Sequence, residues 1–399
     1  MKVLMVISQF YPIIGGAEKQ SLLLAQKLVE KGMGVQIVTG WWKWGTPQRE
    51  IINGIPVIRN FTFWGMFGIK GLRTLGALIY MGSLGVYLLL NGRTYDLIHV
   101  HQVLFPAFVS VFIGKKFLRK NVIVKNSVSG LISDIKQLKK FPLGSLQLKY
   151  LIKKIDCIVT VSADAENEFK SIGYPESRIM YIPNGVSVPL KGKNNYDRVV
   201  QVLTVGRLDN QKGIDVLLKA WASVVDVEKG LKLLVLGSGP QKAELKKLTA
   251  SLGVSHSVEF KGLVHNTEDY FSSADIFVLP SRAEGLSNAL LEAMSYGTPC
   301  VATKVGGTTE VFGLNPETNI KRGGYAVARN GVAVNPDDVK GLSEGILYLV
   351  GNKGAREEIG KRARIFIKEN YSIDLIAEKY IELYQNILKS KPFWIMKRH

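Results

Sequence analysis

Residues 275–297 constrain this chain more than any other stretch. Ile276, Phe277, Val278 and Leu279 form a short apolar run stopped by Pro280, the pattern of a buried parallel strand. Leu286, Leu290, Leu291 and Met294 then recur at helical spacing, and Gly297 followed by Pro299 ends the helix. A strand, loop and helix of this kind belong to an α/β sheet, where ligands sit beyond the carboxyl ends of the strands. Glu284 and the backbone of Gly285, Leu286, Ser287 and Asn288 are therefore expected to face a binding crevice. The unpaired N–H groups at the helix start suit a phosphate. Glu292, eight residues after Glu284, can accept two hydrogen bonds from a vicinal diol such as ribose. Equally, Glu284 can simply complement the helix dipole and Glu292 can be a solvated surface residue. Spacing alone leaves both readings open.

With 399 residues the chain is long for one domain and comfortable for two. Its apolar share of 46% excludes a disordered chain. Cys157 and Cys300 both lie inside apolar runs, which predicts reduced, structural thiols and a cytoplasmic compartment. The formal charge of +19 is uneven: residues 1–190 hold 23 Lys/Arg and 10 Asp/Glu, the remainder 29 and 23. A basic half calls for an anionic partner, whether nucleic acid, a membrane face or a phosphorylated substrate. No nucleic-acid-binding signature is present, so no nucleic-acid partner is expected. No signal peptide is expected either, because the first apolar run, residues 3–7, is short. The longest apolar stretch, residues 75–90, is interrupted by glycines, Ser83 and two tyrosines. It falls short of a spanning helix and reads as buried or interfacial.

Glu284 and Glu292, with seven residues between them in Glu-Gly-Leu-Ser-Asn-Ala-Leu-Leu-Glu-Ala-Met, resemble the signature of the retaining, GT-B-fold glycosyltransferases of family 4. The string from Gly206 and Arg207 to Lys212 and Gly213 is similar to another motif of that family. So is the turn Ile182-Pro183-Asn184-Gly185-Val186, and the likeness runs through most of the chain. The resemblance implies an α/β fold of GT-B type, two Rossmann-like domains facing each other across a deep crevice. Residues 1–188 would form the acceptor-side domain, with a helix of about residues 372–399 crossing back onto it, and residues 189–371 the nucleotide-sugar domain. It further implies that Arg207 and Lys212 hold the donor diphosphate, Glu292 the ribose hydroxyls and Glu284 a sugar hydroxyl. Catalysis falls to Arg207, Lys212 and Glu284. Gly16, Leu263, Gly285, Leu286, Ser287 and Asn288 complete the expected donor site, Leu263 through backbone near the nucleobase.

Arg207 and Lys212 also stand on physical grounds, since a strand-to-helix loop places a fork and a point charge above the sheet, suited to a diphosphate. Gly15 and Gly16, between the first strand and helix, let the backbone approach a ligand. His99 and His101 alternate on a strand and so share a face; such a pair is either a site or one packed and one hydrogen-bonded histidine. Family members carry a histidine at the end of the next strand, where this chain has Asn126. Asparagine hydrogen-bonds but does not titrate near neutrality, so either Asn126 gives a simple contact or His101 takes the role on the acceptor side. The glycine turn at Gly237 and Gly239 serves either packing or ligand approach.

Three regions suggest a surface for lipid. The aromatic runs Trp41, Trp42, Trp44 and Phe61, Phe63, Trp64, Met66, Phe67 lie near Lys43, Lys70 and Arg73. Six lysines between Lys136 and Lys154 alternate with Phe141, Leu146, Leu148, Tyr150 and Leu151. A basic tail around Trp394 follows the last predicted helix. Core packing or a solvated face are the plainer readings. A polar linker is expected near residues 187–197.

Departure of a nucleoside diphosphate requires positive charge at its oxygen. There is no paired-aspartate metal motif, so no metal and no cofactor are expected, and Arg207, Lys212 and the helix start supply the charge. The function expected is retaining transfer from a nucleotide-sugar, a UDP-sugar by preference, to a lipid-linked saccharide of surface polysaccharide, on the cytoplasmic face of an anionic membrane. A soluble, phosphorylated acceptor, a nucleotide-sugar epimerase of similar fold, and a binding module without catalysis are the alternatives.

Overall fold

The computed structural model describes residues 1–63, 70–127, 133–264, 266–315 and 317–389. The expectations for Trp64, Met66 and Phe67, for the side chains of Lys70 and Arg73, and for the tail around Trp394 lie outside the described residues. The chain divides into two compact units, Met1–Asn184 with the chain from Ile373, and Gly185–Ser372.

The first unit is built on strands β1 (Lys2–Ile7), β2 (Gly34–Gly40), β3 (Arg49–Ile52), β4 (Ile55–Asn60), β5 (Leu97–His101), β6 (Asn121–Lys125), β7 (Cys157–Thr160) and β8 (Ile179–Tyr181). They run in the order β3-β4-β2-β1-β5-β6-β7-β8, parallel except for the β3–β4 hairpin. Both faces are covered, which is why β1 and β5 read as continuous apolar runs rather than alternating ones. One layer holds α1 (Gly16–Glu30), against which the returning chain packs. The other holds α2 (Lys70–Asn91), α3 (Phe105–Ile113), α4 (Asp134–Lys139) and α5 (Gly144–Lys154). Helix α6 (Ala163–Ser171) is capped by Ser162, whose hydroxyl accepts from the Ala165 N–H.

The second unit carries β9 (Gln201–Val205), β10 (Lys232–Leu236), β11 (Val258–Gly262), β12 (Ile276–Leu279), β13 (Cys300–Thr303), β14 (Tyr325–Ala328) and β15 (Gly331–Val334). Their order is β11-β10-β9-β12-β13-β15-β14, with β14 alone antiparallel. Around them lie α7 (Ile214–Val227), α8 (Lys242–Ser251), α9 (Glu268–Ser273), α10 (Asn288–Tyr296), α11 (Thr308–Phe312), α12 (Val339–Gly351) and α13 (Lys353–Asn370). Trp221 is fully buried and donates to the Ser257 hydroxyl at 3.1 Å.

Helix α14 (Ile373–Lys389) belongs to the first unit. Ile376, Tyr380, Leu383 and Tyr384 are buried against α1 and the sheet, and Lys31 pairs with Glu378 at 2.8 Å.

Two expectations need correction. The stretch 187–197 is no free linker: Lys193 reaches Asp275 at 2.9 Å, Tyr196 is buried and donates to the Gly297 carbonyl, and Arg364 donates to the Pro189 carbonyl. A polar composition here satisfies buried partners instead of solvating a tether, and the unit boundary falls at Asn184. The apolar stretch at 75–90 also exceeds the expectation. Its glycines do not break α2, and a 21-residue segment of mean hydropathy 1.5 is long and apolar enough to cross a membrane. Tyr80, Leu84 and Leu88 nevertheless pack on the first sheet, so α2 is a covering helix with one face inward.

Candidate functional site

Strand order reverses in the second sheet between β9 and β12, the position where open α/β sheets bind ligands. Arg207 and Lys212 follow β9, and Glu284 follows β12, so the fold brings three of the expected site residues to one junction. Lys212 forms a short ion pair with Glu284 Oε1, and that same oxygen accepts from the Ser281 hydroxyl at 2.7 Å. The Glu284 side chain is only 9% exposed, so its charge is held by these two donors. Arg207 is the opposite case: its side chain is 71% exposed, with Nε 3.5 Å from Asp209. One cation is thus fixed and one remains open to an incoming anion.

The two loops are locked by backbone contacts and by a second arginine. Gln211 exchanges bonds with the other loop, donating to the Ala283 carbonyl and accepting at its own carbonyl from the Arg282 N–H, each at 2.8 Å. Arg282 grips Asp215 through both terminal nitrogens at 2.8 and 2.7 Å and reaches Asp337 through Nε at 2.7 Å. Burial alone would raise the Asp215 pKa, but the hydrogen bonds and charge of Arg282 hold it below the usual range. Gly213, with φ +62°, passes so close to Pro280 that a Cβ would lie 2.1 Å from its carbonyl oxygen.

Gly306, φ +52°, is pressed against the other side of the acidic loop, where a Cβ would lie 2.3 Å from the Glu284 carbonyl oxygen. The Gly307 N–H donates to the Gly285 carbonyl at 2.7 Å. Sequence reasoning missed Ser281, Gln211, Arg282, Asp215 and Asp337. Nothing in a sequence marks an arginine whose carboxylate partners lie 67 and 55 positions away. The turn at Gly237 and Gly239 is resolved as packing, since added Cβ atoms would meet the carbonyls of Gly206 and Leu208 at 1.8 and 2.3 Å.

Ser287 caps α10, its hydroxyl accepting from the Leu290 N–H at 3.5 Å. The helix starts at Asn288, within the stretch expected to open it. Glu292 sits in its second turn, half-buried. Leu263, directly after β11, is 60% exposed.

In the first unit, strand order reverses between β1 and β5. Gly15 and Gly16 follow β1, where the turn is filled from within: a Cβ on Gly15 would lie 2.7 Å from Glu18 Oε2. Burial raises the Glu18 pKa, while backbone N–H groups of Glu18 and Gly15 oppose the shift. His101 ends β5 and Asn126 follows β6, both buried. His99 and His101 stack at 4.3 Å, and His99 Nδ1 meets the Tyr384 hydroxyl at 2.7 Å. This is the packed-and-bonded arrangement, with His101 only 2% exposed. Burial, aided by Lys125, lowers the pKa of His99 to about 3, and burial likewise keeps His101 neutral. Lys125 is itself buried beside them, donates to Asn184 Oδ1 at 2.9 Å and has its pKa lowered to about 7 by desolvation.

Comparison with known proteins agrees with this arrangement. The Glycosyltransferase Family 4 profile matches residues 14–188, and the Glycosyl transferases group 1 profile matches residues 200–352. An uncharacterized glycosyltransferase of Methanocaldococcus jannaschii is 30% identical over 420 residues, covering 96% of this chain and 98% of the relative. A GDP-mannose-dependent monoacylated alpha-(1-6)-phosphatidylinositol monomannoside mannosyltransferase of Corynebacterium glutamicum is 27% identical, covering 62% of this chain and 66% of its own. The solved structure of Anabaena HepE in complex with UDP-glucose superposes with a TM-score of 0.74 at 18% identity, covering 97% of this chain and all of that one. The chain is therefore a glycosyltransferase of GT-B fold, belonging to the proteins in which a Glycosyltransferase Family 4 half precedes a Glycosyl transferases group 1 half.

Proposed function

We propose that this glycosyltransferase moves a sugar from a nucleotide-sugar, a UDP-sugar by preference, to a lipid-linked saccharide in surface polysaccharide assembly. Transfer is retaining and needs no metal or cofactor, and the chain works in the cytoplasm as a peripheral protein on the inner membrane face. The observation that carries the reading is the junction of β9 and β12, with Lys212 pinned by Glu284 and Arg207 left open. Arg207 and Lys212 receive the diphosphate, the N–H groups at Ser287 and Asn288 add to the positive field, Glu292 takes the ribose hydroxyls and Glu284 a sugar hydroxyl. The bond from the anomeric carbon to the β-phosphate oxygen breaks, and the acceptor oxygen bonds that carbon on the same face. The acceptor proton passes to the departing phosphate.

Metal independence rests on this cationic junction, which sets positive charge where the diphosphate departs. Donor choice draws on the UDP-glucose complex of the structural neighbour, and acceptor choice on the phosphatidylinositol-linked acceptor named for a relative. Nucleotide release from a panel of UDP- and GDP-sugars, in EDTA, with and without membrane lipid extract, tests the whole reading. One donor turned over faster with lipid is the expected result. Turnover that requires added divalent metal overturns metal independence, and turnover unaffected by lipid but raised by a soluble acceptor overturns the lipid acceptor.

A further inference from the structure

Helix α2 turns one apolar face to the sheet and a second one outward. Leu75, Leu78, Val86, Leu89 and Leu90 are 45–77% exposed. Their spacing of three or four residues, with Gly82 filling the gap, puts them in one stripe along a helix of 22 residues. A soluble protein does not normally leave so continuous an apolar stripe to water, so it marks a partner. Phe61 and Phe63, also exposed, lie beside it: the Phe61 carbonyl accepts from the Ser83 hydroxyl at 2.5 Å, and Thr62 donates to the Gly76 carbonyl at 2.6 Å.

The charge around the stripe identifies the partner. From residue 51 to residue 155 the chain has 15 Lys/Arg and two Asp/Glu. Of those two, Asp134 is buried and accepts from the backbone of Val103 and Ser127, and Asp96 binds the Lys2 N–H at the opposite end of the strand from His101. Helices α2, α3 and α5 carry no acidic side chain at all. The end of α2 packs on residues 114–118, next to exposed Arg93, Lys116 and Arg119, with Lys116 5.3 Å from the Phe112 ring centroid. Helix α3 lies between α2 and α5, and α5 shows Lys149, Lys153, Lys154 and Leu146 to solvent. Apolar side chains flanked by exposed cations, with Asp134 buried and Asp156 already paired to Lys115, match the acyl and headgroup levels of an anionic bilayer. Two copies of this face would set like charges against each other.

We infer that the outer stripe of α2, with the basic ends of the α2–α3–α5 layer, is the surface by which the chain docks on an anionic lipid bilayer, the helix lying flat in the interface rather than spanning it. The inward packing of Tyr80, Leu84 and Leu88 holds it in that orientation. The inference rests on the proposed lipid-linked acceptor for its choice of a bilayer as partner.

Flotation of the full chain with phosphatidylglycerol/phosphatidylcholine vesicles tests it. L78E combined with L89E changes two exposed positions and leaves the core intact; its partition onto the vesicles is expected to fall by about tenfold or more. V227E combined with I365E, exposed apolar positions of the second unit, serves as control and is expected to bind as the parent does. K153E with K154E is expected to lose binding to anionic vesicles in proportion to their charge. Equal binding by the parent and L78E/L89E overturns the inference, as does a parent dimer that L78E/L89E dissociates without altering vesicle binding. Nucleotide release without lipid is read in parallel. Release with no flotation overturns docking alone, whereas flotation with no release from any donor supports docking and overturns the transfer reading.

Discussion

The two units share a layered parallel sheet and place their charges differently. In the second, charge is inward and paired: Lys212 on Glu284, Arg282 on Asp215 and Asp337, Lys193 on Asp275. The first also buries two pairs, Arg59 with Glu50 and Lys115 with Asp156, but its further cations cover the outside of one helical layer, and His99, His101 and Lys125 are buried with their charges suppressed. Pairing fixes loops where a diphosphate must meet preset positive charge. Unpaired surface cations fix nothing in the fold and are available for a large anionic partner. The difference teaches that net charge locates a partner surface only after the paired charges have been set aside.

Removing the junction cations tests the second half of the comparison most severely. Lys212→Ala and Arg207→Ala are each expected to cost about 2–4 kcal/mol of transition-state stabilisation, read as kcat/KM for donor turnover. Only Lys212→Ala should also lower the Tm, because only Lys212 has a buried partner. Gly306→Ala comes next. Its positive φ and the approach of Glu284 predict a loss of about 2 kcal/mol, measured by denaturant unfolding, with a parallel fall in activity.

Acid should single out the first unit. His99 and His101 are neutral when folded and take up protons near pH 6.5 when unfolded, so the unfolded chain binds more protons below that pH. Stability is expected to fall as pH drops from about 6.5 toward 3, by about 1.4 kcal/mol per pH unit for His99, with His101 adding a loss in the same direction. Unfolding of His99→Gln across that window should show a shallower slope. Lys125 acts in the same sense at higher pH, costing stability as pH falls from about 10 to about 7 and little below. The smallest effect is expected from Arg282→Ala. Its ion pairs are partly exposed, and the discounted loss is about 1 kcal/mol, seen by calorimetry, with KM rising more than kcat falls if the Lys212 loop loosens.

Much of the second unit's junction was legible because strand, loop and helix there are contiguous: the apolar run at Ile276, the carboxylate at Glu284 and the glycine stop at Gly297 lie within 23 residues. The Arg282 clamp was not legible, since it joins side chains on three loops distant in sequence. Nor were the β3–β4 hairpin and β14, whose alternating exposure is weaker than a buried parallel run. In the first unit, the alternation of His99 and His101 was visible, but their burial depends on Tyr380 and Tyr384 nearly 300 residues away. Trp41, Trp42 and Trp44 divided in a way spacing did not show: Trp42 bonds the Ser8 carbonyl and packs on Tyr80, while Trp44 is 68% exposed.

The return of α14 sets an order of assembly during synthesis. Residues 185–372 are continuous, so the second unit has all of its strands once Ser372 has left the ribosome. The first sheet, although made earlier, lacks the side chains that cover His99 of β5 and Lys125 of β6 until Ile373–Lys389 emerges. The nascent chain thus carries an open apolar face from its first strand to its last described helix, and the half translated first is the half completed last.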